Sequence, residues 1–293
     1  MLKLFDGDRV SVLIDLLKPA RRTRIVDVGA NPGNEAAYTA LLNLGQAEVW
    51  GFEPDARSFA ELTDTDTAHF LPWAVGDGST RVFHINTSPF FSSVLPPDMA
   101  TIKLIGKFRR ATQPVESVSL TTVRLDDMES LPEFDLLKID VQGAEVMVFE
   151  GAKAKLAQAV AVISEVAMIP LYEDQPLLDA QMAELRKSGL EFYKFLFMKG
   201  IPVRTNQKVQ LKRRAHSGQA FDGDAVFLRS LRHFSAMSSE QLKHLAILAD
   251  AVFEGFDVAL FCLDRLIERG EISADAVASY AKRIPFQIEP PSA

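Results

Sequence analysis

The chain has a single cysteine in 293 residues, Cys262, so no internal disulfide and no cysteine-built zinc cluster can form. It lies in "VALFCLDRL", an apolar helical stretch where core packing is the expected role. Basic charge is also scarce. The 32 Lys and Arg against 39 Asp and Glu leave a net charge of −7, the wrong sign for general affinity to nucleic-acid backbones. Two local basic spots, Lys107 to Arg110 and Lys208 to Arg214, read as solvated loops, with contact to an anionic substrate as the competing reading. Long apolar runs are missing too. The stretches near 159–171 and 245–263 are interrupted by Glu165 and by Asp250, Glu254 and Asp257, short of the ~20 apolar residues that a membrane span needs. The opening "MLKLFDGDRV" lacks the basic-then-apolar pattern of a signal peptide. A cytoplasmic protein with no membrane span and no nucleic-acid partner is expected.

What is present is an ordinary globular balance, 47% hydrophobic and 24% charged. An amphipathic helix is expected over 6–18, stopped by Pro19. Apolar runs at 24–28, 47–52, 68–75, 135–140, 160–165, 190–197 and 225–229 read as strands, several of them nearly continuous, as in a sheet covered on both faces. Helical patterns fall between them at 34–44, 55–62, 143–157 and 175–188, with Gly45 as a C-terminal cap for the first. This alternation predicts a doubly wound α/β fold with a mostly parallel sheet. Between 78 and 124 the rhythm breaks. The alternating segments "RVFHIN" and "SVSLTTVRL" flank a long irregular stretch, which suggests a lid or substrate element. After 231 the pattern becomes helical throughout, with Ser238 and Gln241 spaced as a capping box and Gly270 as a stop. A main domain over 1–230 and a helical appendage over 231–293 are expected.

"RIVDVGANPGNEAAY", residues 24–38, has the strand, glycine turn and helix pattern that presents backbone N–H groups to a nucleotide. In the dinucleotide fingerprint G-x-G-x-x-G, the middle glycine lets the backbone close on a pyrophosphate. Here Asn31 takes that place, and Pro32 stiffens the turn while removing a donor. Both changes favour a ligand with no phosphate to cradle, such as S-adenosylmethionine, over NAD. Glu53 ends the second strand 20 residues beyond Gly33, where a carboxylate can accept both ribose hydroxyls; a plain surface Glu is the alternative. A further strand ends at Asp140, before the Gly143 turn, and Glu165 ends the neighbouring strand. Two carboxylates facing one crevice can orient a substrate, hold a divalent cation or act as a base, or they can merely cap adjacent turns.

Together "VDVGANPG", "GFEP", "WAVGDGS", "VRLDD" and "DLLKIDVQGAEVMVFEGA" resemble the FkbM family of S-adenosylmethionine-dependent methyltransferases. The resemblance spans 24–230 and is densest at 25–54 and 134–173. It implies a Rossmann-like sheet of seven strands, the last antiparallel, in which the irregular stretch at 78–124 is an insert after the third strand. It also implies O-methylation, often of sugar hydroxyls in surface polysaccharides or glycolipids, or of natural products. By the same resemblance Asp27, Gly29, Ala30, Asn31 and Gly33 line the methionine end of the donor, and Glu53 holds the ribose. Ala74, Val75 and Asp77 lie near the adenine, and Asp140 near the transferred methyl. Ser92 and Ser93, in "PFFSSVLPP", are carried over with them. The helices after 231 have no counterpart in the resemblance.

An alcohol is a poor nucleophile at neutral pH, so a positioned base or a metal is expected. The base candidates are Asp140, Glu165 and His84. No motif demands a metal, although a divalent cation with oxygen ligands is compatible. The acceptor is expected to be a small molecule or glycan, and a homo-oligomer could form through the C-terminal helices. Two other readings stay open: a catalytically silent methyltransferase-like binding or assembly protein, and, more weakly, a dehydrogenase.

Overall fold

A computed structural model describes residues 4–33, 35–207 and 218–285. The basic spot at Lys208 to Arg214 lies outside them. The chain divides into two compact units. One holds residues 25–34 and 49–230, the other residues 1–24, 35–48 and 231–293. Chain continuity passes from one unit to the other between Ser230 and Leu231, and the helical unit also takes in residues 1–24 and 35–48.

The first unit is built on a seven-stranded sheet. Its strands are β1 (Thr23–Val28), β2 (Ala47–Phe52), β3 (Ala68–Leu71), β6 (Leu136–Ile139), β7 (Ala161–Ala167), β8 (Leu190–Ile201) and β9 (Gln219–Arg229). The order is β3-β2-β1-β6-β7-β9-β8. β6 runs parallel to both β1 and β7, and β9 lies antiparallel between β7 and β8. The fold is Rossmann-like α/β, with the last strand reversed. Val26, Val28, Leu137, Ile139, Val162 and Phe227 belong to one core, and the intervening Ile25, Leu136, Ile163 and Leu228 are buried as well, so the strands read as near-unbroken apolar runs. Pro72 has no N–H to continue the ladder, so the expected strand 68–75 stops at Leu71.

The insert between β3 and β6 contains an antiparallel pair, β4 (Thr80–Asn86) and β5 (Pro114–Thr121). These two strands correspond to the two alternating segments. A short helix, α4 (Met99–Ile105), lies between them, capped by Asp98. The basic residues Lys107, Arg109 and Arg110 are exposed.

The connecting helices are shorter than the sequence periodicity suggests. The one expected over 55–62 is α3 (Ala56–Phe59), capped by Asp55 and prolonged by tighter i→i+3 bonds at Glu61 and Leu62. The helix expected over 143–157 is two pieces, α5 (Glu145–Glu150) and α6 (Lys153–Leu156). They break at Gly151, where a Cβ would stand 2.0 Å from the Gly76 carbonyl oxygen. That backbone approach leaves no room for a side chain and interrupts the helix. α7 (Leu178–Lys187) precedes β8.

In the helical unit α1 (Gly7–Leu17) starts at Asp6, whose carboxylate accepts from Asp8 and Arg9 N–H. α2 (Thr39–Asn43) occupies less than half of the expected 34–44, and Gly45 follows it with φ 70°. After 231 come α8 (Ser239–Ala251), α9 (Phe256–Glu268) and α10 (Ala274–Ala281). The Ser238/Gln241 capping box is present, and Cys262 is fully buried in α9. Arg9 makes a bidentate pair with Asp250, at 2.9 and 3.0 Å, and Tyr280 donates to the same carboxylate at 2.7 Å. All three side chains are buried. No helix among the described residues is long and apolar enough to cross a membrane.

Removing one partner of a buried ion pair strands the other charge. Arg9→Met is therefore expected to cost the helical unit about 3–5 kcal/mol, read as a lower urea midpoint by circular dichroism. A loss under about 1 kcal/mol would mean that Asp250 finds compensation elsewhere.

Candidate active site

The parallel strands β1, β2, β6 and β7 end on one rim of the sheet, and a cavity opens there. Its lining includes Gly29 after β1, Glu53 after β2, Asp140 after β6, and Trp73, Ala74 and Val75 after β3. The insert closes it with Phe83, Pro89, Ser92 and Val94. Five residues expected at a donor site, Gly29, Glu53, Ala74, Val75 and Asp140, thus meet in one place.

Glu53 is buried and accepts from Asp55 N–H through Oε1 at 2.8 Å. Burial, reinforced by Asp55 and Asp27, raises its carboxyl pKa to about 7, against the opposing Asp55 bond and Lys138. Gly29 has φ 83°, and a Cβ there would lie 1.9 Å from the Asp140 carbonyl oxygen. Only glycine allows β1 and β6 to end so close together.

The turn itself behaves differently from the sequence expectation. Gly29 and Ala30 N–H both bond Phe52 O, at 2.9 and 3.0 Å. Asn31 N–H bonds Gly29 O at 2.8 Å, and Asn31 Oδ1 accepts Gly33 N–H at 2.9 Å. These four donors are consumed inside the fold, holding β1 to β2 and closing an Asx turn, rather than offered to a ligand. The same Asx turn competes with helix formation, which fits the late start of α2. Gly33 packs against Phe90, at a distance where a Cβ would overlap the ring.

A second cavity of about 210 Å³ adjoins the first at Asp140. Besides Asp140, its lining includes Gln142, Glu165, Tyr172, Lys199 and Asp222, with Phe90, Phe91 and Phe221 as aromatic walls. Gln142 links its carboxylates: Nε2 donates to Asp140 Oδ1 at 2.7 Å and to Glu165 Oε2 at 2.8 Å. Burial, then the charges of Asp140, Glu145 and Asp222, push the Glu165 carboxyl well above the usual range. Burial also raises Glu145 to about 7, although its Oε1 accepts Val141 and Gly143 N–H and so fixes the β6–α5 turn.

Other candidates sit elsewhere. Asp27 lies below the rim, paired with Lys138 Nζ at 3.2 Å in strand register. Asp77 accepts Ser79 N–H at 2.9 Å and pairs with Arg81, outside both cavities. His84 Nδ1 lies 3.2 Å from Ser117 Oγ on the hairpin and lines neither cavity. Ser92 Oγ donates to Asp55 Oδ2 at 3.2 Å, and Ser93 Oγ donates to Gln142 O at 2.8 Å. The two serines therefore fasten the insert to the ends of β2 and β6. No group of three or more His, Cys, Asp or Glu among the described residues could hold a metal ion.

The sequence reading passed over Gln142, Tyr172, Lys138 and Trp73. A signal for Lys138 was available: it stands two residues before Asp140, in the same extended run, a spacing that puts both side chains on one face. Burial disfavours its charge, but Asp27, Asp140 and Asp224 more than offset this and raise its pKa.

Residues 27–192, more than half of the chain, match the methyltransferase FkbM domain. The chain belongs to this family. A curated relative, 2-O-methyltransferase NoeI of Sinorhizobium fredii (strain NBRC 101917 / NGR234), is 29% identical over 167 residues, 52% of this chain and 66% of that protein. The chain thus spans just under two thirds of that relative's length. Among solved structures, a methyltransferase FkbM from Methylobacillus flagellatus KT matches with a TM-score of 0.38 and 12% identity, over 70% of this chain and 43% of that one. Magnesium protoporphyrin IX methyltransferase (ChlM) from Synechocystis PCC 6803, solved with bound SAM, matches with a TM-score of 0.33 and 13% identity, over 76% of this chain and 78% of that one.

The close approach at Gly29 can be separated from its backbone conformation. Gly45 has a similar φ, 70°, with nothing within 4 Å of a Cβ. Gly45→Ala is expected to cost about 1–2 kcal/mol, the left-handed penalty alone. Gly29→Ala should cost clearly more in chemical denaturation, because the Asp140 carbonyl must also move; equal losses would remove the steric argument.

Proposed function

We propose that this FkbM-family chain transfers a methyl group from S-adenosylmethionine to an oxygen, with a sugar or polyol hydroxyl as the acceptor class. The observation that carries this reading is the position of Asp140, which lines both cavities. One cavity suits an adenosine-bearing donor: Glu53 faces it with one carboxylate oxygen beyond the Asp55 bond, and Ala74 and Val75 give it an apolar wall. The other combines aromatic faces with carboxylates and amides, a lining suited to a polyhydroxylated ring. The named relative, a 2-O-methyltransferase, supports oxygen as the nucleophile.

When bound, the donor supplies an electrophilic methyl on a sulfonium, whose C–S electron pair stays on sulfur. The chain contributes alignment and a place for a proton. Glu53 holds the ribose hydroxyls, the insert with Pro89, Phe90 and Phe91 excludes water, and Asp140 receives the acceptor's hydroxyl proton as the oxygen forms its new bond. Gln142 and Lys138 hold the neighbouring carboxylates around it.

Glu53 accepts ribose hydroxyls best when ionised, so donor binding should weaken as pH falls through about 7. One-proton linkage gives about tenfold weaker affinity at pH ~6 than at pH ~8, measured by calorimetric titration of S-adenosylmethionine. Glu53→Gln should bind more weakly and lose this slope; an unchanged slope, or a preference for NAD, would refute the assignment. Asp140→Asn is expected to reduce turnover about 100-fold or more, followed as S-adenosylhomocysteine release with a panel of oligosaccharides. Full turnover in this variant would remove Asp140 as the proton acceptor, whereas donor binding with no turnover of any acceptor by the wild type would favour the silent binding protein.

A further inference from the structure

Gln142 is held by more contacts than a turn residue needs. It lies in the left-handed region, φ 56°, which side chains disfavour. Ser93 Oγ donates to its carbonyl at 2.8 Å, while Tyr172 OH lies 2.8 Å from Oε1 and 3.1 Å from Phe91 O. Both of these oxygens can only accept, so the phenol is the donor, and this fixes which end of the amide faces away. The nitrogen therefore points at the two carboxyl groups and uses both of its protons on them. Tyr172 is itself buried to 1% exposure, so the orientation is set from inside the fold.

We propose that Gln142 is a positioning residue whose amide, oriented by Tyr172, bridges Asp140 and Glu165 and holds Asp140 in place as the acceptor of the substrate hydroxyl's proton. The inference rests on the methyl-transfer reading for the fate of that proton; the bridge itself does not. The charged and titratable groups around the bridge are Lys138 on β6, Glu145 on α5, Asp222 and Asp224 on β9, Lys199 on β8 and Tyr172 after β7. Lys199 is paired with Asp222 at 2.9 Å, and Lys138 with Asp27. Burial, the charges of Asp140 and Glu145 and a direct carboxyl hydrogen bond to Asp140 favour the protonated Glu165, while the amide N–H groups favour ionisation. The amide thus acts as the counterweight that keeps the pair from holding its proton too tightly.

The test needs no substrate. The full chain, labelled with ¹³C at the glutamate carboxyl carbons, is titrated by NMR from about pH 5 to 10, and the Glu165 resonance is assigned by its loss in Glu165→Gln. The wild-type midpoint should lie well above the ~4.3 of a free glutamate. Gln142→Met, of similar length but without donors, should raise it by about one pH unit, a tenfold tighter hold on the proton. Tyr172→Phe, which frees the amide to turn, should raise it by less, and it carries the test should the first variant not fold. An ordinary wild-type midpoint, or a midpoint that stays or falls in the variants, overturns the bridge. Titrating S-adenosylmethionine into the same wild-type sample tells the two claims apart, since absent binding strikes the methyl-transfer reading and leaves the bridge standing.

Discussion

Asp27, Asp140, Glu165 and Asp224 converge where β1, β6, β7 and β9 meet, and the Lys138 ammonium makes that convergence tolerable. Carboxylates brought together in a low-dielectric crevice repel one another and lose hydration. Lys138 pairs with Asp27 at 3.2 Å and its field extends to Asp140 and Asp224. Even so, burial and Asp140 keep Asp224 raised to about 6, and burial and the same neighbour push Glu165 well above the usual carboxyl range. The single charge compensates part of the cluster, and the remainder appears as retained protons.

The glycine turn shows how the same rim is held in shape. Its four N–H groups tie β1 to β2 and close on themselves, so the turn acts as a clasp between strand ends. The polar groups that the first cavity offers are therefore side chains, with Glu53, Trp73, Ala74 and Val75 in its lining and Asp140 where the second cavity begins. The insert completes the enclosure because Ser92 and Ser93 anchor it to Asp55 and to the Gln142 backbone. Two neighbouring serines therefore fix one loop to two strand ends.

What could be read from the sequence follows from how local each signal is. The seven strands were legible because their runs are apolar, and the strand-end positions of Gly29, Glu53 and Asp140 because those runs stop there. The capping box at Ser238 was legible because it is written within four residues. Helix lengths were not. The break at Gly151 comes from the Gly76 carbonyl, 75 residues away in the chain, and no periodicity records it. Gln142 was not legible because its partners arrive from three distant segments, at Ser93, Glu165 and Tyr172. His84 misled for the opposite reason: its side-chain chemistry suggests a base, but hairpin register turns it toward Ser117.

The raised carboxyls also connect the site to the stability of the fold. Glu53 and Glu145 sit at about 7 in the folded chain, against ~4.3 for a free glutamate. Between those values the folded chain binds more protons than the unfolded one, so each group's contribution to stability falls as pH rises through that window. Above about 7 both are ionised in the fold, and their desolvation is borne by the rest of the structure. The two differ in what can relieve it. Glu145 accepts two backbone N–H groups and stays closed off within the turn, whereas Glu53 accepts one, through Oε1, and lines a cavity. A hydrogen-bond donor that reached Glu53 would offset the desolvation of its ionised form, a relief that the enclosed Glu145 has no room for.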